Sequence, residues 1–242
     1  MTLGFIVEAV SGKDMDQYAK EEIYQPLGLK RTTYKPLENG FKKEDIAATS
    51  LGNAYEYRMV DEEHYPNVGY DCSKDLEAFK KFDGWRKNTL IGEVNDGNAG
   101  MGAKGVAGHA GLFSTAGDLA VLAQMMLNGG EYNGVRLYKK DVIDLFTKQQ
   151  TNIGEVSEEF GYTFKLDQSW MGDSATIRTY GHDGFTGTTF CVDPDNKLIV
   201  VVLTNKMQAG FRKGEKQNPN LYWNSNLMVK EITNQIRSLL KL

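Results

Sequence analysis

The sequence predicts an α+β domain on three observations. Helical periodicity dominates its first part, short β-patterned runs follow from about Gly161, and an amphipathic helix closes it. Residues 1–242 read as a single domain, with 1–160 mainly helical and loop and 161–242 strands plus the terminal helix. Apolar residues at 40% and charged residues at 25% are the mixture of a globular domain. A net charge of −4 argues against nucleic acid or an anionic membrane surface as the main partner. No stretch reaches the roughly 18 apolar residues of a membrane span. The opening residues, MTLGFIVEAVSGKD, lack the basic region and small-residue cleavage site of a signal peptide. The sequence assigns no compartment.

LGFIVEAVSG is apolar at Leu3, Phe5, Ile6, Val7, Ala9 and Val10, which predicts a buried helix ending near Gly12. Asp14, with Gln17 three residues on, caps a second helix that QPLGL ends at Pro26. Leu37 to Lys104 is irregular and rich in Tyr, Asp, Glu, Asn and Gly, with a short helix expected over Lys74–Phe82. Connections longer than about 12–15 residues are often binding loops, and Tyr55, Tyr57, Tyr65, Tyr70 and Trp85 are candidates to line a cleft. The competing reading is a surface excursion whose aromatics pack locally.

In GVAGHAGLFSTAGDLAVLAQMMLNGG, Ser114 or Thr115 caps a helix with Asp118 in its first turn. Leu119, Leu122 and Met126 form its core face, and Gly129 and Gly130 end it. KKDVIDLFTKQ predicts another helix, with Val142, Leu145 and Phe146 on one face. Beyond Gly161, GYTFKLD, ATIRTYGHDG, TTFCVD and KLIVVVLTN read as strands, and Asp193–Lys197 as a hairpin turn. The aliphatic run Leu198–Leu203 belongs inside a sheet covered on both faces. Leu221–Leu240 is an amphipathic helix with Met228, Ile232, Ile236 and Leu239 on one stripe. Cys72 and Cys191 read as two reduced thiols, with a single bridge the alternative. No Cys/His cluster suggests a metal site.

The chemistry concentrates in TYGHDGFTGTTF. His182 ends one strand, and a Gly-Phe-Thr-Gly turn leads into the next, where glycines let a ligand approach the backbone. Amides beyond Gly184 are placed to hydrogen-bond a developing oxyanion. The bland alternative is a strand-end histidine beside a plain turn. Spacing alone does not decide, because three histidines and 26 glycines produce such triplets by chance. A second one, His109-Ala110-Gly111, precedes a helix cap, where Gly108 and Gly111 serve tight packing.

Three segments, LGFIVEAVSGKDMDQYAKEEIYQPLGL, GVAGHAGLFSTAGDLAVLAQMMLNGG and YGHDGFTGTTFCVDPDNKLIVVVLTN, occur in the order seen in the penicillin-binding-protein/class C β-lactamase superfamily of serine hydrolases. The chain resembles that superfamily over most of its length outside Leu37–Leu90. IAAT, GEVNDGNA and GVAGHAGLFSTA most resemble its esterase-like branch, which includes bacterial N-acetylmuramoyl-L-alanine amidases of cell-wall recycling. The resemblance implies a β-lactamase/transpeptidase-like fold, an antiparallel sheet flanked by helices. It implies hydrolysis of an amide or ester through a serine acyl-enzyme, with no cofactor. The expected substrates are a muropeptide, a D-alanyl peptide, a β-lactam or a small ester.

Such enzymes combine a Ser-x-x-Lys nucleophile, a Tyr-x-Asn or Tyr-x-Asp motif, and a Lys- or His-x-Gly on an edge strand, because a serine hydroxyl needs a base to become nucleophilic. By resemblance the third motif is His182-Asp183-Gly184, with His182 catalytic. Asp183, Gly184, Phe185 and Thr186 fall at the oxyanion and substrate-binding positions, the Phe185 N–H being one oxyanion donor. His109 and Tyr65 are further candidates to line the cleft. Asp183 departs from the usual Thr or Ser, which puts the polarity of the substrate-carboxylate side in question. The one Ser-x-x-Lys, Ser238 to Lys241, follows the third motif instead of preceding it, and nine serines and 21 lysines yield about one such match by chance. Tyr65-Pro66-Asn67 and Tyr222-Trp223-Asn224 have the second motif's spacing in the wrong places. The expectation is therefore a carboxy-terminal fragment of a serine hydrolase, incomplete at its amino terminus and inactive alone. It is expected to associate, as a homodimer or with the missing amino-terminal segment. The alternative is a non-catalytic binding or regulatory module on the same scaffold.

Overall fold

The computed structural model describes residues 1–53, 77, 81–151, 159–209 and 225–242. Helix α1 (Thr2–Ser11) leads to α2 (Met15–Ala19), where the Asp14 carboxylate accepts the Gln17 N–H at 2.8 Å. A π-helical turn, Lys20–Tyr24, continues α2 into α3 (Gln25–Leu27). Four short strands follow. β1 (Thr33–Tyr34) pairs with β4 (Leu112–Phe113), and β2 (Ala48–Ser50) with β3 (Leu90–Ile91). Thr115 caps α4 (Ala116–Leu127) by accepting the Asp118 N–H. The hairpin β5 (Glu131–Tyr132) and β6 (Val135–Arg136) precedes α5 (Lys140–Thr147).

The main sheet is an antiparallel meander in the order β11-β10-β9-β8-β7. Its strands are β7 (Glu159–Phe160), β8 (Lys165–Leu166), β9 (Tyr180–Asp183), β10 (Thr188–Asp193) and β11 (Leu198–Leu203). Helix α6 (Ser225–Leu240) closes the chain. Side chains alternate across a strand, and β10 uses this to bind two cores. Val192, with Tyr180 and Leu166, joins Tyr24, Leu27, Met125, Met126 and Ile143 from the helices of the first part. Cys191, with Val200, joins Trp170, Met171 and Val229 of α6 on the other side. Burial pushes the free Cys191 thiol up to about 11, so it is a packing residue. Cys72, most of the Lys74–Phe82 helix and four of the five tyrosine and tryptophan candidates lie outside the described residues; Trp85 lies within them.

Several elements sit differently from their sequence pattern. α1 buries only Gly4, while Leu3 is 71% and Val10 83% exposed. The helix docks by its smallest residue: a Cβ on Gly4 would stand 2.9 Å from Met15 Sδ and 3.7 Å from the Gly108 amide nitrogen. Leu198–Leu203 is covered on both faces yet lies at the edge of the sheet among the described residues, with only Val200 fully buried. In α5 the buried side chain is Ile143, while Leu145 and Phe146 are exposed. The most buried stripe of α6 is Ser225, Val229, Thr233 and Arg237; of the expected apolar stripe Ile236 packs against the core, Ile232 is half-buried, and Met228 and Leu239 are exposed.

The phase of α6 follows from its one buried charge. Arg237 Nη1 meets Asp193 Oδ2 at 2.7 Å, and both side chains are 1% exposed. Thr176 Oγ1 and Asn196 Nδ2 donate to the same carboxylate at 2.8 and 2.9 Å, and Arg237 also donates to the Ser174 carbonyl. Burial raises the Asp193 pKa, but the hydrogen bonds from Asn196, Arg237 and Thr176 outweigh it and hold the carboxyl down at about 2. Asp193→Ala leaves a buried guanidinium uncompensated and is expected to cost about 3–5 kcal/mol in urea denaturation. A folded pKa below the unfolded value of about 3.9 contributes stability that is complete above that value and is lost as pH falls toward 2. Asp193→Asn is expected to flatten that acid limb; an unchanged limb would contradict the assignment.

Candidate active-site cleft

The β9–β10 connection is a tight, hydrogen-bonded turn. Pairing sets His182 opposite Phe190 and Asp183 opposite Thr189. Gly184 N–H donates to the Thr188 carbonyl at 2.7 Å, and Gly187 N–H to the Gly184 carbonyl at 2.9 Å. Gly187 has φ +104°, and a Cβ there would stand 2.5 Å from Thr204 Oγ1, so only glycine fits. The Thr204 hydroxyl donates to the Gly187 carbonyl at 2.5 Å and ties the turn to the chain just beyond β11.

This turn forms one wall of a cleft of about 770 Å³. Gly184, Phe185, Thr186 and Thr188 line it beside Leu203, Thr204 and Asn205. Residues 107–115, Asp96, and the segments around Tyr34 and Ala48 form the other walls. Asn205 Nδ2 donates to the Ala48 carbonyl at 2.8 Å and joins the sheet side to β2.

The predicted site residues separate into two sets. Gly184, Phe185, Thr186 and His109 line the cleft; His182 and Asp183 are absent from its lining, and Tyr65 lies outside the described residues. His182 is exposed, with Nδ1 2.8 Å from the Asp183 carbonyl. A carbonyl only accepts, so Nδ1 carries a proton, and Nε2 is an acceptor whenever the ring is neutral. Asp183 points to the other face of β9. Its carboxylate meets Lys165 Nζ of β8 at 3.0 Å and accepts from Asn226 Nδ2 of α6 at 3.3 Å. Burial opposes ionisation of Asp183, but the Lys165 hydrogen bond and charge prevail and lower its pKa. The unusual acid in the His-x-Gly motif is thus neutralised inside the sheet.

Two features at or beside the cleft escaped the sequence reading. Lys206 Nζ lies 5.6 Å from the centre of the Phe185 ring, and burial lowers the lysine pKa. Asp96 Oδ1 lies 3.3 Å from His109 Nε2 and accepts the Ala99 N–H at 2.7 Å. The bond to Ala99 is local, spanning three residues, but the tie to His109 depends on the fold. Ser238 and Lys241 are exposed at the end of the chain and do not line the cleft, while the two Tyr-Pro-Asn and Tyr-Trp-Asn stretches lie outside the described residues. Among the described residues, no three His, Cys, Asp or Glu side chains group to hold a metal ion, and no helix is long and apolar enough to cross a membrane.

Comparison with known proteins places this geometry. The Beta-lactamase family model matches residues 1–220. A putative D-alanyl-D-alanine carboxypeptidase of Escherichia coli K12 is 36% identical over 249 residues, covering 100% of this chain and 52% of that protein. An N-acetylmuramyl-L-alanine amidase of Bacillus subtilis 168 is 38% identical over 224 residues, covering 92% of this chain and 46% of that protein. The chain spans about half the length of the curated relatives it matches. A β-lactamase of Mycobacterium bovis superposes with a TM-score of 0.54 at 18% identity, covering 99% of this chain and 61% of that one. A penicillin-binding-protein homologue of Pyrococcus abyssi superposes with a TM-score of 0.52 at 21% identity, covering 84% and 36%. The fold is therefore β-lactamase/transpeptidase-like, with helices around an antiparallel sheet.

The Lys165–Asp183 pair predicts a coupling. Lys165→Met is expected to cost about 1–3 kcal/mol by leaving the half-buried carboxylate unpaired. The double variant Lys165→Met/Asp183→Asn should lose less than the sum of the single changes in urea denaturation. Strict additivity would contradict the pairing.

Proposed function

Because the chain belongs to the beta-lactamase family, we propose that it contributes the oxyanion and substrate-binding wall of a serine hydrolase that cleaves an amide of a peptidoglycan-derived substrate. The observation that carries this reading is the rigid Gly184–Gly187 turn facing the cleft. The relatives named for D-alanyl-D-alanine carboxypeptidase and N-acetylmuramyl-L-alanine amidase activity support a muropeptide or D-alanyl peptide over a β-lactam or simple ester.

In this reading a serine oxygen attacks the scissile carbonyl, the carbonyl oxygen gains negative charge, and the Phe185 N–H donates to it. The turn is fixed by its own hydrogen bonds and by Thr204, so little reorganisation accompanies charge development. His182 stands exposed at the end of β9, beside the turn but outside the cleft lining. Asp183 is held by Lys165, which keeps its charge from opposing the oxyanion. Lys206, stacked on Phe185, adds positive potential on the same side.

The reaction also needs a serine beside a base, and no Ser-x-x-Lys of these 242 residues lies in the cleft. The 242 residues by themselves are therefore expected to give no turnover of nitrocefin, p-nitrophenyl esters or muropeptides. Turnover that disappears in His182→Ala would overturn this. The same observation favours the second reading, a module that binds muropeptide without cleaving it; binding with no turnover even after joining to a serine-bearing segment would select it.

The edge of β11, unpaired among the described residues, and the outward apolar residues of α1 support association, with a second copy or with the segment that supplies the nucleophile. Sedimentation velocity is expected to show species larger than a monomer. A monodisperse monomer at high concentration would count against this surface.

A further inference from the structure

We propose that His109, held by Asp96, is a proton-accepting substrate contact on the loop wall of the cleft, a role that rests on the muropeptide reading above. A carboxylate only accepts, so the 3.3 Å contact between Asp96 Oδ1 and His109 Nε2 requires the proton on Nε2. In the neutral ring Nδ1 then holds a lone pair, and among the described residues no group donates to it. The two side chains are 39% and 37% exposed, and both line the cleft that the Gly184–Thr186 turn faces.

The support beneath the pair exceeds what an isolated surface contact needs, since such pairs contribute only about 0–1 kcal/mol. Asp96 Oδ1 is fixed by the Ala99 N–H. The two residues before Asp96 are held by one guanidinium: Arg86 Nη1 donates to the Val94 carbonyl at 2.7 Å and Nη2 to the Asn95 carbonyl at 2.9 Å. Arg86 Nε donates in turn to buried Asn53 Oδ1 at 2.8 Å. On the histidine side, the Tyr34 hydroxyl donates to the Ala107 carbonyl at 3.2 Å, and Ala107 and Ala110 bridge each other across the loop. A fixed imidazole with one nitrogen anchored and the other open to a cleft is a hydrogen-bond acceptor for a neutral donor. On a muropeptide that donor is a peptide N–H or a sugar hydroxyl. His109 is the substrate contact and Asp96 its positioning residue.

The chain has three histidines, His64, His109 and His182, so imidazole spectra are assigned with single substitutions. Long-range proton–nitrogen spectra are expected to show His109 as the Nε2–H tautomer, with that bias lost in Asp96→Ala. Titration with N-acetylmuramoyl-L-alanyl-D-isoglutamine is expected to shift the His109 signals together with the Phe185 and Thr186 amides. His109→Ala should weaken binding roughly 10-fold, the loss of one hydrogen bond. Parallel titrations with N-acetylmuramic acid and with N-acetyl-L-alanyl-D-isoglutamine distinguish a sugar donor from a peptide donor. An Nδ1–H tautomer, or wild-type binding by His109→Ala, overturns the proposal. Unmoved His109 signals beside shifted Phe185 and Thr186 amides overturn it while the proposed function stands. Absence of any shift at either wall removes both.

Discussion

The buried Asp193–Arg237 pair is the constraint from which much of the site's geometry follows. An ion pair this dry leaves a large desolvation cost to be offset, and here the partners gather on the carboxylate and on Arg237 Nη1, while Nε and Nη2 find none among the described residues. Asp193 ends β10, and the carboxylate gathers the Thr176 segment, the Asn196 turn and the last turns of α6 around that end. With one end of β10 pinned, its pairing with β9 fixes where Thr188 falls, and the Gly184–Gly187 turn forms at the opposite end. The position of the proposed oxyanion wall is therefore decided about one strand length away from it.

Around that wall, charge is arranged so that little of it is uncompensated. Asp183 stands where a hydroxyl residue is usual in the resembling enzymes, and an unpaired carboxylate there would repel both an oxyanion and a substrate carboxylate. Strand alternation turns it away from His182, Lys165 Nζ pairs with its charge and Asn226 donates to its second oxygen. Lys206 has the opposite character. It is half-buried, stacked on Phe185, and its depressed pKa reflects desolvation outweighing the attraction of Asp183. The combination leaves a wall whose potential favours developing negative charge.

What the sequence reveals and what it hides divide along physical lines. Local signals are faithful: the Asp14 and Thr115 caps and the β10–β11 hairpin form where side-chain chemistry places them. Apolar periodicity misleads where tertiary packing has other demands. α1 has apolar residues around most of its circumference, and Gly4 alone makes the close approach, so the large side chains turn outward. α6 is phased by Arg237, a residue that a hydropathy pattern assigns to the surface. Within the candidate site, the Gly184–Thr186 turn is legible as His-x-Gly followed by a glycine-bounded loop. The Asp96–His109 contact is not, because the two residues meet only through the fold and Arg86 sets one of them from a third segment.

The central claim is that this chain supplies the oxyanion wall of a peptidoglycan-directed serine hydrolase. The most direct measurement joins it to the part of the Bacillus subtilis N-acetylmuramyl-L-alanine amidase that it does not match, in place of the 38%-identical region. The account predicts that this chimera hydrolyses an N-acetylmuramoyl-L-alanine amide bond and that Gly187→Val, which distorts the turn, abolishes the hydrolysis. A folded chimera that binds the substrate but does not cleave it, or one whose activity survives Gly187→Val, would contradict the account.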